Sequence, residues 1–207
     1  RFKMKVATLD FETANSQRNS ACALGVTLID NQQIVETNYW LFKPVGGFDY
    51  MNNMVHGITM ADVYNKPTFA QSWPEIKEYI SDRILIAHNA AFDQQWFGGR
   101  GSLPSMPLKW ICTMDDIQWP LSSKRSRPSV MSLSVDYGVP VWNAHRALTD
   151  CIYLAEVMKR EPQLEQLIEN ALLPRHVYVS NLGYEQRQHC KDAGFTWNNL
   201  VPKMWAK

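Results

Sequence analysis

Two carboxylates stand two residues apart in VATLDFETAN, residues 6–15: Asp10 and Glu12. The stretch 5–10 reads as an apolar strand. Strand side chains alternate, so both acids project from one face, and Phe11 between them points the other way and can pack. Like charges this close repel unless a cation bridges them; a solvated strand end is the plain alternative. Two more acids occupy comparable places. Asp93 closes HNAAFD, where a strand gives way to a helix and a carboxylate suits the helix N-terminus. Asp150 closes AHRALTD. At ~100° per residue it lies about 130° from the middle of its helix's apolar stripe, facing a cleft or water. His145 precedes it by five residues, roughly 500° of turn, so the two do not share a helical face. A loop histidine beside carboxylates is placed to act as a general base near neutral pH; taken singly it reads equally as a surface or capping residue.

The elements that must position these groups follow from periodicity and punctuation. Residues 21–29 and 33–42 read as two further strands, joined at Asn31 by a short polar turn suited to positive φ. A loop covers 43–53, marked by Pro44, Gly46 and Gly47. A helix spans 67–82, in which Pro74 is tolerable only in the first turn. Residues 84–87 form a buried strand and Asn89 leads into another helix, ended by the glycines and prolines of 98–107. A strand at 108–113 and a short helix stopped by Gly138 come next. Leu148, Cys151, Ile152, Ala155 and Met158 then form an amphipathic stripe. Hairpin strands followed by alternating strands and helices predict an α/β domain with a mixed sheet.

The pattern predicts a main domain over 1–160, a linker or helical connection over 161–174, and a small α+β module over 175–207. The module reads as strand 176–181, helix 184–194 and strand 203–207, with Trp197 and Trp205 packing a mini-core and nucleic-acid binding as the alternative use. The 207 residues carry a net charge of +1, so no global basic field marks a polyanion partner. The densest basic run is SSKRSRPS, with Lys124, Arg125 and Arg127, a backbone contact or a solvated loop. Four scattered cysteines without a C-x-x-C pair fit a reducing compartment better than a disulfide framework or zinc site. The absence of a signal-peptide pattern and of a run of 18 apolar residues leads to the expectation of a cytoplasmic protein without membrane attachment.

With the acids and histidine in this order, the chain resembles the DEDDh 3′→5′ exonucleases, the family that includes polymerase proofreading subunits and RNase T. D-x-E is matched by Asp10 and Glu12, the second motif by Asp93, and H-x-A-x-x-D by His145, Ala147 and Asp150; SACALG, VHGIT, CT and YGV are secondary matches. The resemblance implies a ribonuclease-H-like fold, a mixed five-stranded sheet flanked by helices. It also implies two Mg²⁺ or Mn²⁺ ions held by Asp10, Glu12, Asp93 and Asp150, with His145 as general base. Oxygen donors suit such hard cations. The terminal nucleotide would be held around Phe11, Thr13, Val55, His56, Asn89 and Phe92. The substrate implied is a DNA 3′ end, released as nucleoside 5′-monophosphates in proofreading or repair, with a DNA polymerase as a candidate partner. An RNase T-like exoribonuclease and a non-catalytic nucleic-acid-binding module are the alternatives.

Overall fold

The computed structural model describes residues 4–17, 19–97, 108–122, 124, 127–143, 145–174, 176–197, 201 and 203–207. The chain divides into two compact units, Arg1–Ala171 and Leu172–Lys207.

The first unit opens with β1 (Lys5–Thr13), β2 (Ala21–Asp30) and β3 (Gln33–Leu41), an antiparallel meander. The β2–β3 turn places both Asn31 (φ 48°) and Gln32 (φ 66°) in the left-handed region. That geometry matches the twist of the flanking strands. Helices α1 (Tyr50–His56), α2 (Met60–Val63) and α3 (Phe69–Tyr79) follow, then β4 (Ile84–Ala87), α4 (Ala90–Gln94) and β5 (Trp110–Cys112). The unit closes with α5 (Val130–Asp136), α6 (Ala147–Arg160) and α7 (Leu164–Ala171). The sheet order is β3-β2-β1-β4-β5, with β4 and β5 parallel to β1. This is the five-stranded mixed sheet that the sequence predicts.

The two-residue period of β1 assigns its neighbours. Ala7, Leu9 and Phe11 face one core with Trp73, Ile76 and Ile80 of α3 and with Trp96 and Phe97. The alternate row faces α6: the Thr8 hydroxyl donates to the Cys151 carbonyl at 3.0 Å. Gln32 fastens the other end of α6, its amide donating to the carbonyls of Met158 (3.2 Å) and Glu161 (2.5 Å). Helix C-terminal carbonyls need such external donors.

Several local expectations change. β1 runs to Thr13, so the acids lie within the strand, not at its end. Helix α1 takes up the end of the stretch read as a loop, from Tyr50 on; it hides because Tyr50, Met51 and Met54 are exposed and give no apolar period. Pro74 sits in the second turn of α3, forgoing a helix hydrogen bond, while a Thr68–Gln71 capping box secures the N-terminus. Helix α4 ends at Gln94, ahead of the Gly/Pro run, most of which lies outside the described residues. Residues 164–171, within the predicted linker or helical connection, form α7; its Leu164 and Ile168 are fully buried and it lies in the first unit.

The second unit contains β6 (Val179–Ser180), α8 (Arg187–Asp192), β7 (Thr196–Trp197) and β8 (Trp205–Ala206), with sheet order β6-β8-β7. The strands are shorter than expected, and β7 was not apparent in the sequence because two residues carry no readable period.

Candidate active site

The acids gather where β1 outruns its parallel neighbour. β4 pairs with β1 only over Val6–Thr8, whereas β2 accompanies β1 to Thr13. Asp10 and Glu12 therefore continue the α6-facing row past the carboxyl end of β4, the customary place for a site in an open α/β sheet.

Asp93 comes from α4 and is 1% exposed. The Phe11 N–H, between the first two acids, donates to Asp93 Oδ1 at 3.1 Å. Asp150 arrives in the first turn of α6, where its Oδ2 accepts from the His145 N–H at 3.1 Å. Glu12 accepts from the N–H of Ala147, the first residue of α6, which places an anion at that helix's positive end. His145 itself stands just ahead of α6, exposed, at φ 60°.

Gly25 makes this meeting possible. It lies opposite Asp10 in the β1–β2 register, and a Cβ on it would come within 2.3 Å of the Leu148 nitrogen and 2.4 Å of the Ala147 carbonyl carbon. Backbone thus touches backbone where α6 starts. A second missed residue is Arg146. Its guanidinium donates to the carbonyls of Val55 (3.2 Å) and His145 (2.9 Å), and Gly57 (φ 71°) leaves room for it. H-x-A-x-x-D leaves position 146 unspecified, so nothing in the motif announces it.

All four acids titrate above their usual range. Burial is the largest cause for Asp10, followed by the charges of Asp93, Glu12 and Asp150. Burial and Asp150 push Glu12 up to about 7 against the opposing pull of Arg146 and the Ala147 N–H. Burial raises Asp93 despite the Phe11 N–H, and raises Asp150 despite His145 and Arg146. The folded chain thus holds four carboxylates that repel one another, an arrangement that a cation relieves. Among the described residues no three His, Cys, Asp or Glu side chains close into a ready-made metal cage.

A stability prediction follows. An acid whose folded pKa is raised costs nothing below its ordinary pKa; the penalty grows as pH climbs to the folded value and then levels off. For Glu12 the window runs from 4.5 to about 7. Metal-free protein should therefore melt at a lower temperature at pH 8 than at pH 5. Glu12→Gln should recover about 1–2 kcal/mol of that loss, allowing for solvent screening. Thermal melting in EDTA across this range measures it; equal pH slopes for the two proteins would contradict the electrostatic account.

Two expected nucleotide contacts are corrected. The Phe11 side chain is 3% exposed among Phe69, Trp96 and Phe97, on the face away from the acids. It is a core residue whose N–H positions Asp93. His56 is also buried: Nδ1 accepts from Ile58 N–H (3.0 Å), leaving Nε2–H to donate to the Thr13 carbonyl (3.1 Å). Burial lowers its pKa, so a neutral ring latches the end of α1 to β1. Asn52 donates to the same carbonyl and to the Thr13 hydroxyl. The Val55 side chain is exposed and its carbonyl is taken by Arg146. Asn89, at φ 70°, and Phe92, 39% exposed, remain accessible at the start of α4. In the basic run, Arg127 pairs with Asp115 (3.0 Å), and Arg125 lies outside the described residues.

A ribonuclease-H-like sheet with acids from β1, α4 and α6 at one strand end defines a nuclease. The RNase_T family, described as exonuclease, matches residues 8–158; the chain belongs to this family, among the DEDDh-type 3′→5′ exonucleases. It is 33% identical over 156 residues to exodeoxyribonuclease 10 of Escherichia coli (strain K12), covering 72% of this chain and 65% of that protein. It is 28% identical over 165 residues to a DNA polymerase III PolC-type of Thermotoga maritima, covering 73% of this chain but 11% of the relative. Among solved structures, exonuclease X in complex with 5′ overhanging duplex DNA matches at TM-score 0.64 and 26% identity, over 80% of this chain and 99% of that one. The nuclease domain of 3′hExo, a DEDDh family member bound to rAMP, matches in fold at TM-score 0.66 and 16% identity, over 80% of this chain and 94% of that one. Residues 176–207 match a family described as a domain of unknown function (DUF8626).

Proposed function

We propose that this chain removes nucleoside 5′-monophosphates one at a time from DNA 3′ ends, with Asp10, Glu12, Asp93 and Asp150 holding two Mg²⁺ or Mn²⁺ ions. The observation that carries this reading is the gathering of four carboxylates from β1, α4 and α6, each raised chiefly by burial, beside an exposed loop histidine. When bound, two such ions supply an activated water, a neutralised phosphate and a stabilised leaving oxygen.

The chain's own residues do the positioning. The Phe11 N–H fixes Asp93 against β1, and the Asp150 carboxylate holds the His145 backbone at the head of α6. The His145 imidazole, free of the helix, accepts the proton of the attacking water on a ring nitrogen and afterwards releases it to solvent. Phe92 offers an exposed ring for the terminal base, and Asn89 a neighbouring amide; stacking of this kind tolerates any base. Of the six nucleotide contacts first considered, these two keep accessible side chains suited to the task.

DNA is favoured over RNA because two of the relatives above are, by name, an exodeoxyribonuclease (33% identical) and a DNA polymerase (28% identical). The PolC-type names also support a polymerase as partner, with this chain corresponding to a small part of such a protein. An RNase T-like activity is the second reading, and the fold accommodates an rAMP-bound member. A purely binding role leaves the general base without a use. Among the described residues no helix is long and apolar enough to cross a membrane.

The test uses 5′-labelled single-stranded DNA and RNA of one sequence with Mg²⁺, Mn²⁺ or EDTA. We expect a metal-dependent ladder shortening from the 3′ end, faster on DNA. His145→Ala should slow it by about 10²-fold or more, the usual worth of a positioned base. A ladder that persists in EDTA, or an unimpaired His145→Ala protein, would refute the mechanism; faster cleavage of RNA would move the assignment to the second reading.

A further inference from the structure

The second unit exposes side chains that a fold of its size ordinarily buries. It spans 36 residues, yet Trp197 is 55% exposed and Tyr184 73% exposed, with Leu182 and Met204 also exposed. So small a unit has little apolar surface to spare for its core. Trp205 does serve that core, at 7% exposure, but Trp197 does not, which corrects the expectation that both tryptophans pack a mini-core.

The exposed groups are organised rather than scattered. Antiparallel pairing sets Ser180, Trp205 and Trp197 side by side across β6, β8 and β7. The two indoles meet edge to face, with centroids 5.6 Å apart. They line a concavity of about 320 Å³ together with Tyr184, Leu182, Lys203 and Met204. Its volume falls at the low end of the range of ligand sites. At its rim the Arg187 guanidinium lies 4.3 Å from the centroid of the Tyr184 ring.

Charge distinguishes this unit from the rest. Residues 172–207 contain five Lys or Arg (175, 187, 191, 203 and 207) and two Asp or Glu (185 and 192), a net +3; the whole chain is +1, leaving −2 for residues 1–171. The chain's small overall charge therefore conceals a basic C-terminal unit and an acidic remainder. Exposed aromatic faces within a positive surface are the recognition chemistry of single-stranded nucleic acid: bases stack on the rings, and cations track the phosphates. A membrane surface is met by the apolar face of an amphipathic helix; here the exposed aromatic rings stand on a sheet and a turn.

We propose that the C-terminal unit is a single-stranded nucleic-acid-binding module, in which Trp197 and Tyr184 stack bases at the aromatic concavity and Arg187, Lys203 and their basic neighbours hold the phosphate backbone. It retains a strand independently of the cleavage site, and its recognition is sequence-tolerant.

The test is performed on the full chain in EDTA, so that no cleavage intervenes and failure of the catalytic reading leaves the result intact. Fluorescein-labelled dT20 and U20 are titrated by anisotropy at 50 mM and 200 mM NaCl. Stacking is worth ~1–3 kcal/mol per base, so Trp197→Ala should weaken binding about tenfold. Trp197→Phe should restore most of it, and affinity should fall with salt. Tyr184→Ala, at a more exposed position, should lose affinity with an unchanged melting curve, and it decides the matter where Trp197→Ala unfolds. The stronger of the two strands names the natural one. The proposal is overturned if folded Tyr184→Ala and Trp197→Ala bind as tightly as wild type, if neither strand binds, or if duplex DNA competes better than either.

Discussion

Asp93→Asn should abolish measurable exonuclease turnover, lowering it by about 10³–10⁴-fold, while making the metal-free protein more resistant to heat at pH 8. The activity loss reflects a ligand removed from a cluster whose charge stabilisation is worth several kcal/mol, each 1.36 kcal/mol being tenfold in rate. The stability gain has an independent origin. Asp93 is buried beside Glu12 and titrates above its usual range, with burial as the chief cause. Its ionised form therefore weakens the folded state once pH exceeds the ordinary carboxylate range, and a neutral amide removes that cost. The amide oxygen can still accept the Phe11 N–H, so the fold has no reason to shift. The two curves should converge below about pH 3, where the carboxyl is protonated whether folded or not. Calorimetry in EDTA, then with Mn²⁺, checks both parts. Manganese should stabilise wild type strongly and the variant weakly. A variant that melts below wild type at pH 8 would show that Asp93 is a structural hydrogen-bond acceptor rather than a strained ligand.

Gly25→Ala should be nearly as damaging, although the residue bears no chemistry. Its new methyl would overlap the backbone of Ala147 and Leu148, which lie 2.3–2.4 Å from the ideal Cβ position. Ordinary contact begins near 3.4 Å, so α6 must retreat by roughly 1 Å or the strand must buckle. Overpacking of this kind costs about 1–3 kcal/mol. A displacement of ~1 Å can cost 10²-fold in rate, and here it moves Asp150 and His145 together. We expect a clear fall in melting temperature and at least a 10²-fold loss of turnover. Gly47→Ala, which meets nothing within 4 Å, is the control and should match wild type. A fully active Gly25→Ala enzyme would mean that α6 is not seated by this contact.

The contrast between these two positions explains what the sequence discloses. Asp10, Glu12, Asp93, His145 and Asp150 are legible because side-chain chemistry and short spacings survive in one dimension. So is the opposite orientation of Phe11, since a strand's period is two. Gly25 and Arg146 are not, for their roles lie in contacts with residues 147–148 and 55, far along the chain. His56 misleads because its motif fits a substrate turn equally well whether the ring points outward or, as here, inward to Thr13. Helix α1 escapes notice because its exposed tyrosine and methionines imitate a loop's lack of pattern. In the C-terminal unit, tryptophan identity suggests packing; only the pairing of Trp197 with Trp205 shows that one ring supports the core while the other meets solvent.

The bond between Thr8 and Cys151 joins groups 143 residues apart, and Gln32 fastens the far end of the same helix across a separation of 126 and 129. The first strand of the unit and its penultimate helix are therefore neighbours, and such distant pairings tend to form late. Asp150 and His145 follow Asp93 by some fifty residues in the chain, so the five site residues come together only once α6 has been made and has docked.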